Sequence, residues 1–298
     1  MRAPSPQRKQ AGLTLVELMV ALAAGLLVVL AAGTLLQQAR ESYEDIDDAS
    51  RIHETGRLVL DHLQQALRQA GHLPWEDLHQ PPTLAASLHG LDDSRQGELL
   101  DPAAGVFGSS SDGLHDGLHH SDLLMLGLFA VPAGSRAQVG NCSGAPAPAA
   151  PIEDAARHWM IYYIAPGSSG EPELRCRYQG RNGVWTSDAI ARGVEAMQLR
   201  YAIDSDSDGA PDQWRDASSL RAAQWSQVVL VQIALLVRGE QQRPRTTGVT
   251  PRRYQLLTAS NPIPPGWTVT AAPGEDRRRV VFRTTVFLRN LRATKSRP

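Results

Sequence analysis

Two cysteines, Cys142 and Cys176, are all the chain has among its 298 residues, which excludes a disulfide-dense scaffold. The sequence also lacks GxSxG, a Walker loop, HExxH and CxxC, so the familiar nucleophile, phosphate-binding, zinc-protease and dithiol signatures are absent. His53-Glu54 begins a zinc-type pattern, but the second histidine it needs would fall at Arg57. Excess charge of one sign is missing too, since the formal net charge is -1. The charge is unevenly placed, however: residues 41–122 carry 16 acids against 4 bases, and residues 238–298 carry 13 bases against 3 acids. Such polarity suits head-to-tail contact between subunits or an anionic partner, although most charge runs are solvated faces.

What the chain does have is a long apolar run. From Leu13 to Leu36 the only charged residue is Glu17. At the rise of an α-helix this run covers about 36 Å, enough for a hydrocarbon core of about 30 Å. An acid inside such a span costs on the order of 2.5–3.5 kcal/mol at its centre and less near an end, so something must offset it. A secretory signal peptide would also have basic residues in front, here Arg2, Arg8 and Lys9, and Ala31-Ala32-Gly33 has the small residues of a cleavage site. This run is longer than the usual apolar region of about 7–15 residues, and neither Gly12 nor Glu17 serves secretion. A plain single-pass anchor has the right length but leaves Glu17 without a counter-charge.

The junction GLTLVELMVAL resembles the class III signal of type IV prepilins, with Leu13 where Phe is commonest. The resemblance implies cleavage by prepilin peptidase between Gly12 and Leu13, N-methylation of Leu13, and a Glu17 that meets the terminal amine of a neighbouring subunit. A carboxylate paired with an ammonium in a low-dielectric bundle costs far less than either alone. Further segments, GRLVLDHLQQALRQAGH at 56–72, GVEAMQLRYAID at 193–204, the stretch from Trp225 to Arg238, and RRRVVFRTTVFLRNL at 277–291, look like the PilW-type minor pilins. That resemblance implies a pilin-like fold and a non-enzymatic role in initiating or capping a type IV pilus, with other minor pilins, the major pilin, the peptidase and the inner-membrane assembly platform as partners. A type II secretion pseudopilin shares the signal and the general fold and is the alternative.

Read for organisation, residues 1–12 form a cytoplasmic leader that is removed, and 13–36 the transmembrane half of a helix. Residues 37–71 form its periplasmic half, and 72–298 a globular α+β head. Lys/Arg before the span and acids after it orient the head outward. Ile46, Ala49, Ile52 or His53, Gly56, Leu60, Leu63, Leu67 and Ala70 recur at helical spacing, which predicts one apolar stripe packed on the head. Gly71 offers a C-terminal cap and Pro74 blocks continuation, giving a helix of about 87 Å from Leu13 to Ala70.

In the head, long loops are predicted at about 72–121 and 132–157. Strands are predicted at Leu123–Phe129, Trp159–Ala165, around Leu174, Cys176 and Tyr178, at Met197–Ile203, Val228–Val237 and Val280–Leu288. The first of these patterns to alternate points Cys176 inward, and a periplasmic head makes a Cys142–Cys176 disulfide the natural expectation. Closing about 35 residues, it stabilises by about 3–4 kcal/mol in the chain-entropy model.

Three patterns suggest ligands. DSDSDGAPD places Asp204, Asp206, Asp208, Ala210 (through its carbonyl) and Asp212 at positions 1, 3, 5, 7 and 9 of an EF-hand-like calcium loop. Position 12 is Arg215 in place of a bidentate Glu, so a full EF-hand is excluded, and an acidic turn is the simpler alternative. His115, His119 and His120, beside Asp112 and Asp116, are types that hold zinc or copper, though incidental loop histidines are commoner. The arginines 252, 253 and 277–279 can neutralise phosphates, which makes a DNA- or surface-binding module the second functional class. The tryptophans 159, 185, 214, 225 and 267 read as core or interface residues.

Overall fold

The computed structural model describes residues 12, 14–73, 84–94, 100–107, 117–130, 139–146, 152–180, 183–242, 251–258, 263–272 and 274–290. The chain divides into two compact units, Met1–Asp48 and Ala49–Pro298. In the first unit the residues from Leu15 are helical and carry exposed Leu, Val and Met side chains through Leu36. They belong to α1 (Leu15–Gln69), whose apolar part is long enough to cross a membrane.

In the second unit the last turns of α1 present Ile52, Gly56, Val59, Leu63, Ala66 and Leu67 to the core, and Ala70, just past the helix end, is buried with them. The spacing of three and four residues explains why one stripe is buried and the intervening Arg57, Asp61 and Arg68 are exposed. Val59 and Ala66 join the stripe expected from the sequence, whereas Ile46, expected to open it, is 69% exposed, and Ala49 and Leu60 are only half-buried. Gly56 lets Phe282 lie against the helix: a Cβ there would collide with the Phe282 ring, which meets His53 edge-on at 5.6 Å. The helix ends where Gly71 turns left-handed, at φ 70°. Asn290 donates its side-chain amide to the open carbonyls of Arg68 and Ala70, at 2.9 and 3.2 Å.

Two antiparallel sheets receive this stripe. The first is a five-stranded meander of β1 (Leu88–Leu91), β2 (Leu123–Leu128), β3 (His158–Pro166), β4 (Pro172–Gln179) and β5 (Trp185–Arg192), each paired with its chain neighbour. The second contains β6 (Val194–Ile203), β7 (Gln213–Arg215), β8 (Val228–Gln242) and β11 (Arg277–Phe287), in the order β11-β8-β6-β7. A two-stranded ribbon of β9 (Arg253–Gln255) and β10 (Thr268–Thr270) accompanies them.

Period-two alternation gives each sheet two buried faces. Leu124, Leu126, Tyr162, Cys176, Met197, Leu199, Val231, Ile233 and Val286 share one core with the α1 stripe. Leu123, Met125, Trp159, Ile161 and Tyr163 face the other way into a second core with Leu91 and Leu100. Ala196, Ala234 and Leu236 face a third, closed by Leu256, Leu257, Trp267 and Val269. This is why β8 reads as an almost unbroken apolar run: one face meets α1 and the other the β9/β10 ribbon.

The chain passes from the first sheet to the second at Gly193, which adopts φ +78° with room for no more than a hydrogen; a Cβ would stand 2.7 Å from the Arg238 carbonyl oxygen. A second joint closes the edge of β6. Asp122 N–H donates to the Met197 carbonyl at 2.8 Å, and Met197 N–H donates to Ser121 Oγ at 3.2 Å. Leu199 N–H donates to Asp122 Oδ2 at 2.6 Å, so side chains stand in for a missing strand.

The expected α+β class and the six expected strands are present, with boundaries shifted by a few residues. The predicted loop over 72–121 contains β1, and β5, β7, β9 and β10 were not expected. All five are short or lack clear apolar alternation, as in the burial of β5, where intermediate and exposed residues mix.

Candidate functional site

The most informative site is the start of α1. Glu17 Oε2 accepts hydrogen bonds from Thr14 N–H at 2.9 Å and Thr14 Oγ1 at 3.0 Å, while Glu17 N–H donates to Thr14 Oγ1 at 3.3 Å. This reciprocal arrangement is a capping box, and it satisfies donors that an isolated helix leaves open. The negative end of Glu17 also lies at the positive pole of the helix dipole. The acid that looked anomalous in an apolar run is therefore provided for within its own first turn. The signal was legible as Thr14-Leu15-Val16-Glu17, a Thr-x-x-Glu before an apolar run, and was missed by asking only for a partner in another subunit. Gly12 is exposed, and Leu13 lies outside the described residues.

In the head, Cys142 and Cys176 form the expected disulfide, 34 positions apart in sequence. Cys176 sits fully buried on β4, and Cys142 lies in a turn whose Asn141 Oδ1 accepts from Ser143 N–H, Ser143 Oγ and Ala145 N–H. A cavity of about 460 Å³ beside this turn is lined by His62, Gln69, Asn141 and Tyr162 among others, and His62 Nε2 lies 3.1 Å from Tyr162 Oη.

The acidic loop joins β6 to β7. Asp204, Asp206 and Asp208 each place a carboxylate oxygen within 4.8 Å of the other two. Their oxygens also organise the loop: Asp204 accepts from Gly209 N–H, Asp206 from Asp208 N–H and Asp208 from Ala210 N–H. Asp212 stands apart from that trio and accepts from Ser205 N–H at 2.7 Å and Ser205 Oγ at 2.5 Å, which lowers its pKa from the ordinary value. The structure therefore gathers three of the five expected ligands and gives Asp212 the job of closing the loop.

His119 and His120 adopt left-handed backbone conformations, with φ 51° and 57°. His119 Nε2 lies 3.4 Å from Glu195 and His120 Nδ1 lies 2.7 Å from Asp93, so the two rings face different carboxylates on different elements. His115, Asp112 and Asp116 lie outside the described residues.

The arginines expected to meet phosphate divide. Arg252 and Arg253 are exposed. Arg277 Nη1 contacts both Glu171 oxygens at 2.9 and 3.0 Å. Arg279 is buried in a bidentate pair with Glu195, at 2.5 and 3.0 Å. Arg238 joins Glu171 and Glu275, at 2.6 and 3.1 Å. Burial works to raise the Glu195 pKa, but the hydrogen bonds from His119 and Arg279 and the Arg279 charge outweigh it and hold the pKa at about 2. Sequence reasoning missed this network because its members come from five separated segments; Glu171 and Arg277 are 106 positions apart.

Comparison with known proteins agrees with this anatomy. Residues 7–33 match the prokaryotic N-terminal methylation motif, and residues 161–290 match the family described as type IV pilus-assembly protein W. Among solved structures, a type IV-like pilin from Thermus thermophilus is similar at 14% identity and a TM-score of 0.39, over 83% of this chain and 97% of that one. No curated protein matches. A methylation signal, an acid capped at the start of a long apolar helix and a head whose residues 161–290 match a pilus-assembly family make the chain similar to type IV pilin-like proteins. The resemblance to the PilW-type minor pilins is borne out over residues 161–290, which hold three of the four segments that carry it, and the prepilin-type signal over residues 7–33.

Proposed function

We propose that this chain is a minor pilin that helps initiate or cap assembly of a type IV pilus, without enzymatic activity, after prepilin peptidase cuts between Gly12 and Leu13 and Leu13 is N-methylated. The observation that supports this best is the match to the methylation motif over a junction whose acid opens a 55-residue helix. Before assembly Glu17 rests on Thr14. On assembly it exchanges that contact for the Leu13 ammonium of a neighbouring subunit, which turns an acid in the apolar run into a register device. The chain waits in the inner membrane with its head in the periplasm and then enters the pilus near its tip. Its partners are other minor pilins, the major pilin, the peptidase and the inner-membrane assembly platform. Deleting the gene should abolish or sharply reduce piliation, with restoration by the wild-type chain and failure of restoration by Glu17→Ala. Normal piliation in the deletion strain would refute the reading.

The inward pairing of Arg277 and Arg279 favours assembly over DNA binding, because two of the five arginines offered to phosphate are already committed. For the acidic loop we propose calcium held by Asp204, Asp206 and Asp208, hard oxygen donors already drawn together. Saturating calcium should then raise the melting temperature of the full chain, and Asp206→Asn with Asp208→Asn should remove the rise; an unchanged wild-type melting curve would exclude the site.

A further inference from the structure

The cavity of about 460 Å³ beside the disulfide turn has no part in the assembly reading, and its walls come from three places in the fold. α1 supplies His62, Gln65 and Gln69, whose spacing of three and four residues makes a polar stripe alongside the buried one. β3 supplies Met160 and Tyr162, both buried, and the turn supplies Val139, Asn141 and Ser143. The Cys142–Cys176 bond ties that turn to β4, and Asn141 Oδ1 accepts three hydrogen bonds from within it. This wall is therefore fixed before any ligand arrives, which lowers the ordering cost of binding.

Hydrogen-bonding capacity is left over inside it. Because Asn141 engages its carbonyl oxygen in the turn, its amino group remains to donate. Among the described residues the side-chain amides of Gln65 and Gln69 make no hydrogen bond, and each offers a donor and an acceptor. His62 Nε2 lies 3.1 Å from the hydroxyl of fully buried Tyr162, and burial lowers the His62 pKa, so the ring is neutral.

This lining narrows the ligand. Among the described residues no Lys, Arg, Asp or Glu lines the cavity, so an ion would lose hydration without meeting a counter-charge. A lipid tail would strip water from amides and hydroxyls and replace none of their hydrogen bonds. An extended peptide meets no open ladder, since Asn141 N–H donates to the Ala145 carbonyl and Gly144 N–H to the Asn141 carbonyl, both at 2.9 Å. Sugar hydroxyls both donate and accept, as the amides do, and the C–H face of a sugar ring can rest on Ala66, Val139 and Met160. We propose that this cavity binds a neutral carbohydrate of mono- or disaccharide size. Its volume falls in the lower half of the range for small-ligand sites, about 300–1,000 Å³.

Saturation-transfer difference NMR on the full-length chain in phosphatidylcholine nanodiscs, which carry no sugar head groups, tests this with glucose, galactose, mannose, N-acetylglucosamine, maltose and lactose. The expected result is saturable binding of at least one of them, weakened about tenfold or more in Gln65→Ala with Gln69→Ala, as the loss of two neutral hydrogen bonds predicts. Alanine favours the helix, so this pair keeps the fold. Arg57→Ala, on the exposed side of the same helix, should leave the affinity unchanged. Glucose 6-phosphate and N-acetyl-trialanine amide should bind more weakly than the best sugar. No binding by any of these sugars, an affinity indifferent to the double substitution, an equal loss in Arg57→Ala, or tighter binding of the phosphate or the peptide would each overturn the proposal.

Discussion

Glu195 illustrates how single residues carry the stability of this head. Its pKa of about 2 lies below the ordinary 4.5, so its pairing contributes stability above pH 4.5 that is lost as pH falls from 4.5 towards 2. A shift of this size corresponds to roughly 3 kcal/mol. Chemical denaturation of the full chain should show that loss, and Glu195→Gln should flatten it. Removing the partner is the harsher change: Arg279→Ala leaves a buried carboxylate unpaired and should cost about 3–5 kcal/mol in the same experiment. His89 acts in a different window. Largely buried and stacked 4.3 Å from the Phe107 ring, it has its pKa pushed down to about 4 by burial. The folded state therefore binds fewer protons than the unfolded one between pH 6.5 and 4, and stability falls as pH drops through that range. His89→Phe should remove this step and leave the one below pH 4.5. Asp122 opposes both, since burial raises its pKa and makes its charged form a cost at neutral pH.

Among the elements, α1 and the sheets were unequally legible. The helix was readable because apolar spacing, the Gly71 cap and the Leu13–Leu36 run all signal at short range. The long strands were readable for the same reason, through alternation at Cys176 or Met197. β1, β7, β9 and β10 were not, because three or four residues cannot establish a period. Thr14 and Glu17 were within reach of a local motif, whereas Asp122 bonding Leu199 and Arg279 bonding Glu195 depend on how the sheets meet. Two substitutions test the elements directly. Cys142→Ser opens the loop on β4 and should lower stability by about 3–4 kcal/mol in the chain-entropy description, measured as a shift in denaturation midpoint. Gly56→Leu drives a side chain into the Phe282 ring and should destabilise by about 1–3 kcal/mol as an overpacked core.

For the whole molecule, the proposed function uses the apolar run as an assembly surface and leaves the choice of partners to the head. The head pairs Glu171, Glu195 and Glu275 internally with Arg238, Arg277 and Arg279, and leaves the carboxylates of Asp206, Asp208 and Asp212 exposed at its surface. Everything in the assembly reading depends on how the amino terminus is processed, since a neighbour's amine can meet Glu17 only if Leu13 begins the mature chain. Mass spectrometry of the chain purified from host membranes measures this directly. The account predicts a protein that lacks residues 1–12 and begins with N-methylated Leu13. An intact leader, or a terminus created by cleavage after Ala32 or Gly33, would contradict it.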